Sequence, residues 1–121
     1  MLQTEFCAWL SRICVEEKPS ESVIAYNIGL FETPDGFSAY LIGADTFDKN
    51  SNDWACDEAF TPKERYFSIS REQVDGWKNF ETVIIEATKN FLWSPDGEKT
   101  FLAKAVAITV GFDDGNLKRV L

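Results

Sequence analysis

The stretch from Phe101 to Phe112 constrains the fold more than any other part of the chain. Read at a period of two, Leu102, Val106, Ile108, Val110 and Phe112 fall on one face, and Ala103, Ala105, Ala107, Thr109 and Gly111 fall on the other. One face is bulky and the other small. Its only charge, Lys104, lies near the start, so the run reads as a sheet strand buried on both sides, with the small face letting a helix approach closely. A short buried helix is the alternative that periodicity alone leaves open. Asp114-Gly115 then gives a strong hairpin signal, with Leu117 to Leu121 as the returning strand.

Burying a strand on both sides needs a sizeable core. A chain of 121 residues that is 45% hydrophobic, with ten Phe and four Trp, can supply one. The length fits a single domain, 1–121, without a linker. No apolar run approaches the roughly 18 residues that span a bilayer. Met1 to Phe6 lacks the basic start of a secretion signal, so a cytoplasmic location is expected. Cys7, Cys14 and Cys56 cannot all pair with one another and are not closely spaced, which argues for reduced thiols over a disulfide framework or a zinc knuckle.

Upstream, Leu2, Phe6, Trp9, Leu10 and Ile13 form the stripe of an amphipathic helix that ends before Pro19. Cys7 and Cys14 lie at its flank, two turns apart and too distant to bond. From Ser22 the period becomes two. Ile24, Tyr26, Ile28 and Leu30 alternate with smaller residues, Thr33-Pro34-Asp35-Gly36 makes a turn, and Phe37 to Phe47 alternates again as the second arm of a β-hairpin. Asp48 to Asp53 has the composition of an exposed loop, and another short strand is expected at Arg65 to Ile69. Ser70-Arg71-Glu72-Gln73 fits a capping box, opening a long helix to about Trp93 whose apolar arc centres on Trp77, Phe80, Ile84, Ala87 and Phe91. Glu81 falls inside that arc. It is either an acid at the domain rim, with its head in water, or a partly buried carboxylate with a purpose. Together these elements predict an α+β fold: a mainly antiparallel sheet of about five strands packed by an N-terminal helix and a long central helix.

The chemistry open to the chain is narrow. It has no histidine, which removes the commonest general base and metal ligand, and it has no phosphate-cradling glycine loop. Cys56 sits among Asp53, Asp57 and Glu58, whose charge disfavours a thiolate nucleophile. The oxygen-rich run Asp48, Asn50, Asn52 and Asp53 is spaced like a calcium loop but lacks its central glycine and its bidentate glutamate. No catalytic residue, metal site or cofactor is therefore assigned. Carboxylates are the only candidates left for an enzyme.

The formal charge of −8 repels phosphate backbones and anionic headgroups, so neither nucleic acid nor a membrane is an expected partner, whereas a basic protein is. Solubility alone also accounts for such a charge. The segment Trp54 to Phe60 stands out because large aromatics bracket consecutive acids and fit neither a helical nor a strand pattern. In this character, a small acidic α+β chain with an aromatic and acidic segment, the protein resembles the immunity proteins that bacteria make against their own toxins. That resemblance implies occlusion of a basic toxin face, with Trp54 and Phe60 filling pockets and Asp53, Asp57 and Glu58 pairing with its lysines or arginines. The alternative for Trp54 and Phe60 is that they tuck a long loop onto the core. The rival functions are a small-molecule-binding domain and a carboxylate-dependent enzyme.

Overall fold

The hairpin sits at the centre of the fold. The computed structural model describes residues 1–121, and in it β1 (Ala25–Thr33) and β2 (Gly36–Ala44) pair antiparallel along their whole length, from Ala25↔Ala44 to Thr33↔Gly36. The turn between them is Pro34-Asp35, and the backbone N–H of Arg71 ties it down by donating to the Asp35 carbonyl at 2.8 Å. β3 (Tyr66–Ser70) adds antiparallel to β2, β4 (Ala107–Phe112) adds parallel to β1, and β5 (Lys118–Arg119) closes the far edge, giving the order β3-β2-β1-β4-β5. The sheet is thus five-stranded and mainly antiparallel, with one parallel pair at its centre.

A parallel pair needs a crossover. Helix α2 (Gly76–Trp93) provides it, carrying the chain from the β3 edge to the far side of β1. Helix α1 (Leu2–Glu16) lies beside it: Leu2 and Val83 line one groove and the Cys7 thiol reaches the Ala87 carbonyl, so the two helices run in the same sense. Both bury their stripes on one face of the sheet. Phe6, Trp9, Leu10 and Ile13 of α1 and Phe80, Ile84, Ala87 and Phe91 of α2 meet Tyr26, Ile28, Leu30, Leu41, Phe67, Ile108 and Val110 in one apolar cluster. Each such side chain contributes about 1.5–3 kcal/mol when fully buried.

Several expected boundaries move. The capping box is present, with Ser70 N–H donating to Gln73 Oε1 at 3.0 Å, but it caps a separate 3₁₀ turn, Arg71–Gln73. α2 begins later, at Gly76, whose φ of +85° is the only left-handed backbone in the chain and redirects it into the helix. The second arm of the hairpin stops at Ala44 rather than Phe47. Within the run from Phe101 to Phe112, Leu102–Lys104 forms a 3₁₀ turn, Val106 is exposed, and the strand starts only at Ala107, where pairing with Ala25 begins. The first half of the run is consumed in bringing the chain down from the crossover.

The small face of β4 also has a different cover from the one expected. No helix lies there. A Cβ on Gly111 would meet the Asn116 carbonyl oxygen at 2.6 Å, so the space is taken by the return of the β4–β5 hairpin itself. Deeper on this second face, Thr109 Oγ1 donates to Asn27 Oδ1 at 2.8 Å, which satisfies two buried polar side chains on neighbouring strands. A second apolar cluster of Ala25, Ala44 and Trp54, with Phe47 and Leu117 against it, closes one end of the face. Loops rather than helices cover this side of the sheet.

Candidate functional site

The segment Trp54 to Phe60 divides by burial. Asp53–Cys56 forms a 3₁₀ turn that turns Trp54 inward, where it is 5% exposed and meets Phe47 edge-on at 5.1 Å. Phe60 is half-buried, packing against Tyr26 and Phe101, while Ala59 N–H and Phe60 N–H both donate to the Gly43 carbonyl. Both aromatics therefore tuck the loop onto the sheet, Trp54 as a buried side chain and Phe60 as a half-buried one. Further hydrogen bonds hold the loop to α1: the Trp9 indole N–H donates to the Glu64 carbonyl at 2.9 Å, and Arg12 pairs with the Glu64 carboxylate at 2.7 Å. Asp53, Asp57 and Glu58 remain exposed on the outside of this anchored loop.

Of these acids, Glu58 touches a set of residues that sequence reasoning missed. It pairs with Arg65 at 3.3 Å, and the Arg65 guanidinium lies over the rings of Tyr40 and Tyr66, at 6.0 and 5.6 Å from their centroids. Phe31 meets both tyrosines, at 6.1 and 5.9 Å. The registers explain the grouping. Tyr40 faces Tyr66 on one side and Gly29 on the other, and the tyrosine ring fills the space that any side chain at residue 29 would need, since a Cβ there would fall 2.1 Å from Tyr40 Cζ. The ring ends in a hydrogen bond, the phenol donating to Asp113 Oδ1 at 2.5 Å. Burial, followed by the bond to Asp113, raises the Tyr40 phenol pKa well above its usual value, so it stays a donor at neutral pH.

Phe31 and Asp113 join this platform to a cleft. About 690 Å³ in volume, the cleft opens where β4 ends and β1 continues beyond it, and it is walled by Leu30, Phe31, Trp77, Phe112 and the β4–β5 hairpin. Trp77 is 54% exposed, although the helical pattern placed it at the centre of the apolar arc. Its ring stands edge-on to Phe112 at 5.6 Å, at the first turn of α2, where the helix overhangs the end of the sheet. Glu81 sits one turn further in, 5% exposed, and accepts a hydrogen bond from Lys118 Nζ at 2.5 Å. It is thus a buried carboxylate at the domain rim, and its partner reaches it from the solvent side. Glu32, Asp113 and Asp114 add three more acids to the walls; Lys118 is the one base among the lining residues, and Arg71 pairs with Glu32 from outside at 3.2 Å.

Two aromatic groups thus meet at the end of the sheet, Trp77 and Phe112 on the helix side and Phe31, Tyr40 and Tyr66 on the other face, with acids at Glu32, Asp113 and Asp114 in the cleft between them and Glu58 beyond Arg65. Period-two reading could have placed Tyr40 and Phe31 on one face, since both are read directly from the hairpin register. The cleft could not be read in this way, because it depends on which strand outruns its neighbour.

The thiols lie elsewhere. Burial pushes Cys14 up to about 11 and raises Cys7, so neither is an activated nucleophile, and Cys56 is exposed on the acidic loop. All three are free. No group of three or more Asp, Glu or Cys side chains converges where a metal ion could be held, and no helix is long and apolar enough to cross a membrane. Comparison of the chain with protein-family models, curated proteins and solved structures finds no match.

Proposed function

We propose that the protein is a non-enzymatic acidic binding protein that occludes a basic protein partner, an immunity protein docked on its toxin being the case suggested by the resemblance. One observation carries this: Phe31, Tyr40 and Tyr66 stand partly exposed on the helix-free face of the sheet, and at its end they adjoin an acid-lined cleft in which Trp77 and Phe112 stand on the helix side. Aromatic rings supply contact area at little entropic cost, and a one-signed rim steers encounter and rejects partners of the wrong charge. The net charge of −8 supports the same direction of steering. The anchoring residues differ from those first expected. Tyr66, Tyr40 and Trp77 take the role assigned to Trp54 and Phe60, while Asp53, Asp57 and Glu58 keep theirs as acids on the adjoining loop.

Paired affinity capture tests this. The wild type and an Asp57→Lys/Glu58→Lys variant are immobilised and exposed to lysate of the encoding organism at low and high salt. Exposed charges contribute about 0–1 kcal/mol each to stability, so the variant should fold. The wild type should retain a protein of strongly basic composition, released by salt, which the variant retains at least about tenfold less well. Equal retention by both proteins would sink docking at this face.

A further inference from the structure

We propose that the cleft beside Trp77 receives a single arginine or lysine side chain of the basic partner, and that Lys118 occupies the Glu81 carboxylate until that side chain displaces it. The identity of the occupant as a protein side chain rests on the docking function proposed above. The cleft itself rests on separate observations.

Glu81 is the first. Its carboxylate is buried, yet only Oε1 is engaged, by Lys118 Nζ; Oε2 accepts no hydrogen bond from the protein. An ionised carboxylate offers about four acceptor sites and matches a guanidinium in a two-pronged pair, so a buried one holding a single ammonium has unused capacity facing the cleft that it lines. Lys118 is the second. Its side chain is 56% exposed and stands on β5, which two residue pairs hold to β4, so its ammonium can return to water without disturbing the core. Trp77 is the third. It is the strongest type of ring for a cation, it is exposed over half its surface, and it stands on the same wall as Glu81. Glu32, Asp113 and Asp114 complete the cleft; Glu32 pairs with Arg71 at its outer edge and Asp113 accepts from the Tyr40 phenol, yet four carboxylates against Lys118 and Arg71 still leave the lining negative, and its volume lies in the range of ordinary ligand sites.

The test follows the Trp77 indole N–H by NMR while the tripeptide amide Ac-Gly-Arg-Gly-NH2 is titrated into the full chain, with the citrulline analogue as a neutral isostere. The arginine peptide should give a saturable shift with a Kd on the order of 1 mM, as expected for one side chain in one cleft, and the citrulline peptide none. Lys118→Met should tighten binding by about tenfold, because the peptide then no longer competes with an internal cation, and Glu81→Gln should abolish it. Trp77→Ala, which removes an exposed ring, guards against misfolding of the Glu81 and Lys118 variants; read at the Gly115 amide, it should weaken binding about fivefold. Equal shifts from both peptides, or unchanged affinity in Trp77→Ala and Lys118→Met, would overturn the assignment. A normal titration in a protein that captures no basic partner would remove docking and leave the cation site standing. Undiminished partner capture by Glu81→Gln and Trp77→Ala would remove the cleft, and Trp77 as an anchor, from the interface and leave docking to Tyr40, Tyr66 and the acids of the loop.

Discussion

Four tryptophans of one chemical type occupy opposite environments in this chain, and the difference is set by what lies across from each. Trp9 is fully buried between the helices and the sheet, with its N–H satisfied by the Glu64 carbonyl. Trp54 is buried by the loop that carries it, whereas Trp77 and Trp93 stand exposed on α2. Trp54→Ala should therefore cost about 3–5 kcal/mol of unfolding free energy, measured by urea denaturation, because it opens the second apolar cluster above Ala25 and Ala44. Trp77→Ala should cost well under half of that in the same experiment. A Trp54→Ala protein as stable as the wild type would mean that the loop does not seal the sheet. Helical spacing alone places Trp9 in the buried stripe of α1, but it places Trp77 in the apolar arc of α2 in the same way, and only the end of the sheet separates the two.

At the scale of elements, α2 shows how a helix start is decided by more than its cap. Ser70 and Gln73 form the reciprocal pair that their spacing predicts, but the pair stabilises a 3₁₀ turn, and Val74 then returns to extended backbone. The helix starts only after Gly76 has taken a φ of +85°, which turns the chain from the β3 edge onto the face of the sheet. No atom lies within 4 Å of where a Cβ would stand at this residue, so the constraint is backbone conformation alone. Gly76→Ala should cost about 1–2 kcal/mol, the penalty for an L-residue in left-handed conformation. Thermal unfolding by circular dichroism would show it, and an unchanged or raised Tm would show that the turn has another route.

For the molecule as a whole, burial sets an alkaline limit. The Cys14 thiol is raised by burial from 9.0 to about 11, and the Tyr26 phenol, also chiefly by burial, from 10.0 to about 12. Both folded-state values lie above the unfolded ones, so the folded protein holds protons that the unfolded chain gives up. The corresponding stability is fully present below pH 9 and is lost as pH rises, from about 9 to 11 for Cys14 and from about 10 to 12 for Tyr26. Tm should be level between pH 7 and 8.5 and fall steadily above pH 9, and Cys14→Ala should remove the earlier part of that fall. A flat profile to pH 11 would show that these groups titrate as freely in the folded chain as in the unfolded one.

Periodicity and turn chemistry by themselves determined the α+β class, the two helices and the central hairpin, and they placed a final hairpin after Phe112, although its turn closes from Gly115 N–H to the Phe112 carbonyl around Asp113-Asp114 and its return strand is only Lys118–Arg119. The stripe of α1 is the clearest case: Phe6, Trp9, Leu10 and Ile13 are all buried as their spacing requires. Tertiary structure alone decided the rest. Whether Glu81 is buried depends on Lys118 reaching it from a strand 37 positions away, and whether Trp77 is core or surface depends on the sheet ending beneath it. The face that carries Tyr40, Tyr66 and Phe31 is left without a helix because the crossover through α2 places both helices on the opposite side. A local pattern can state that a residue lies on a face; only the order of the strands states what, if anything, covers that face.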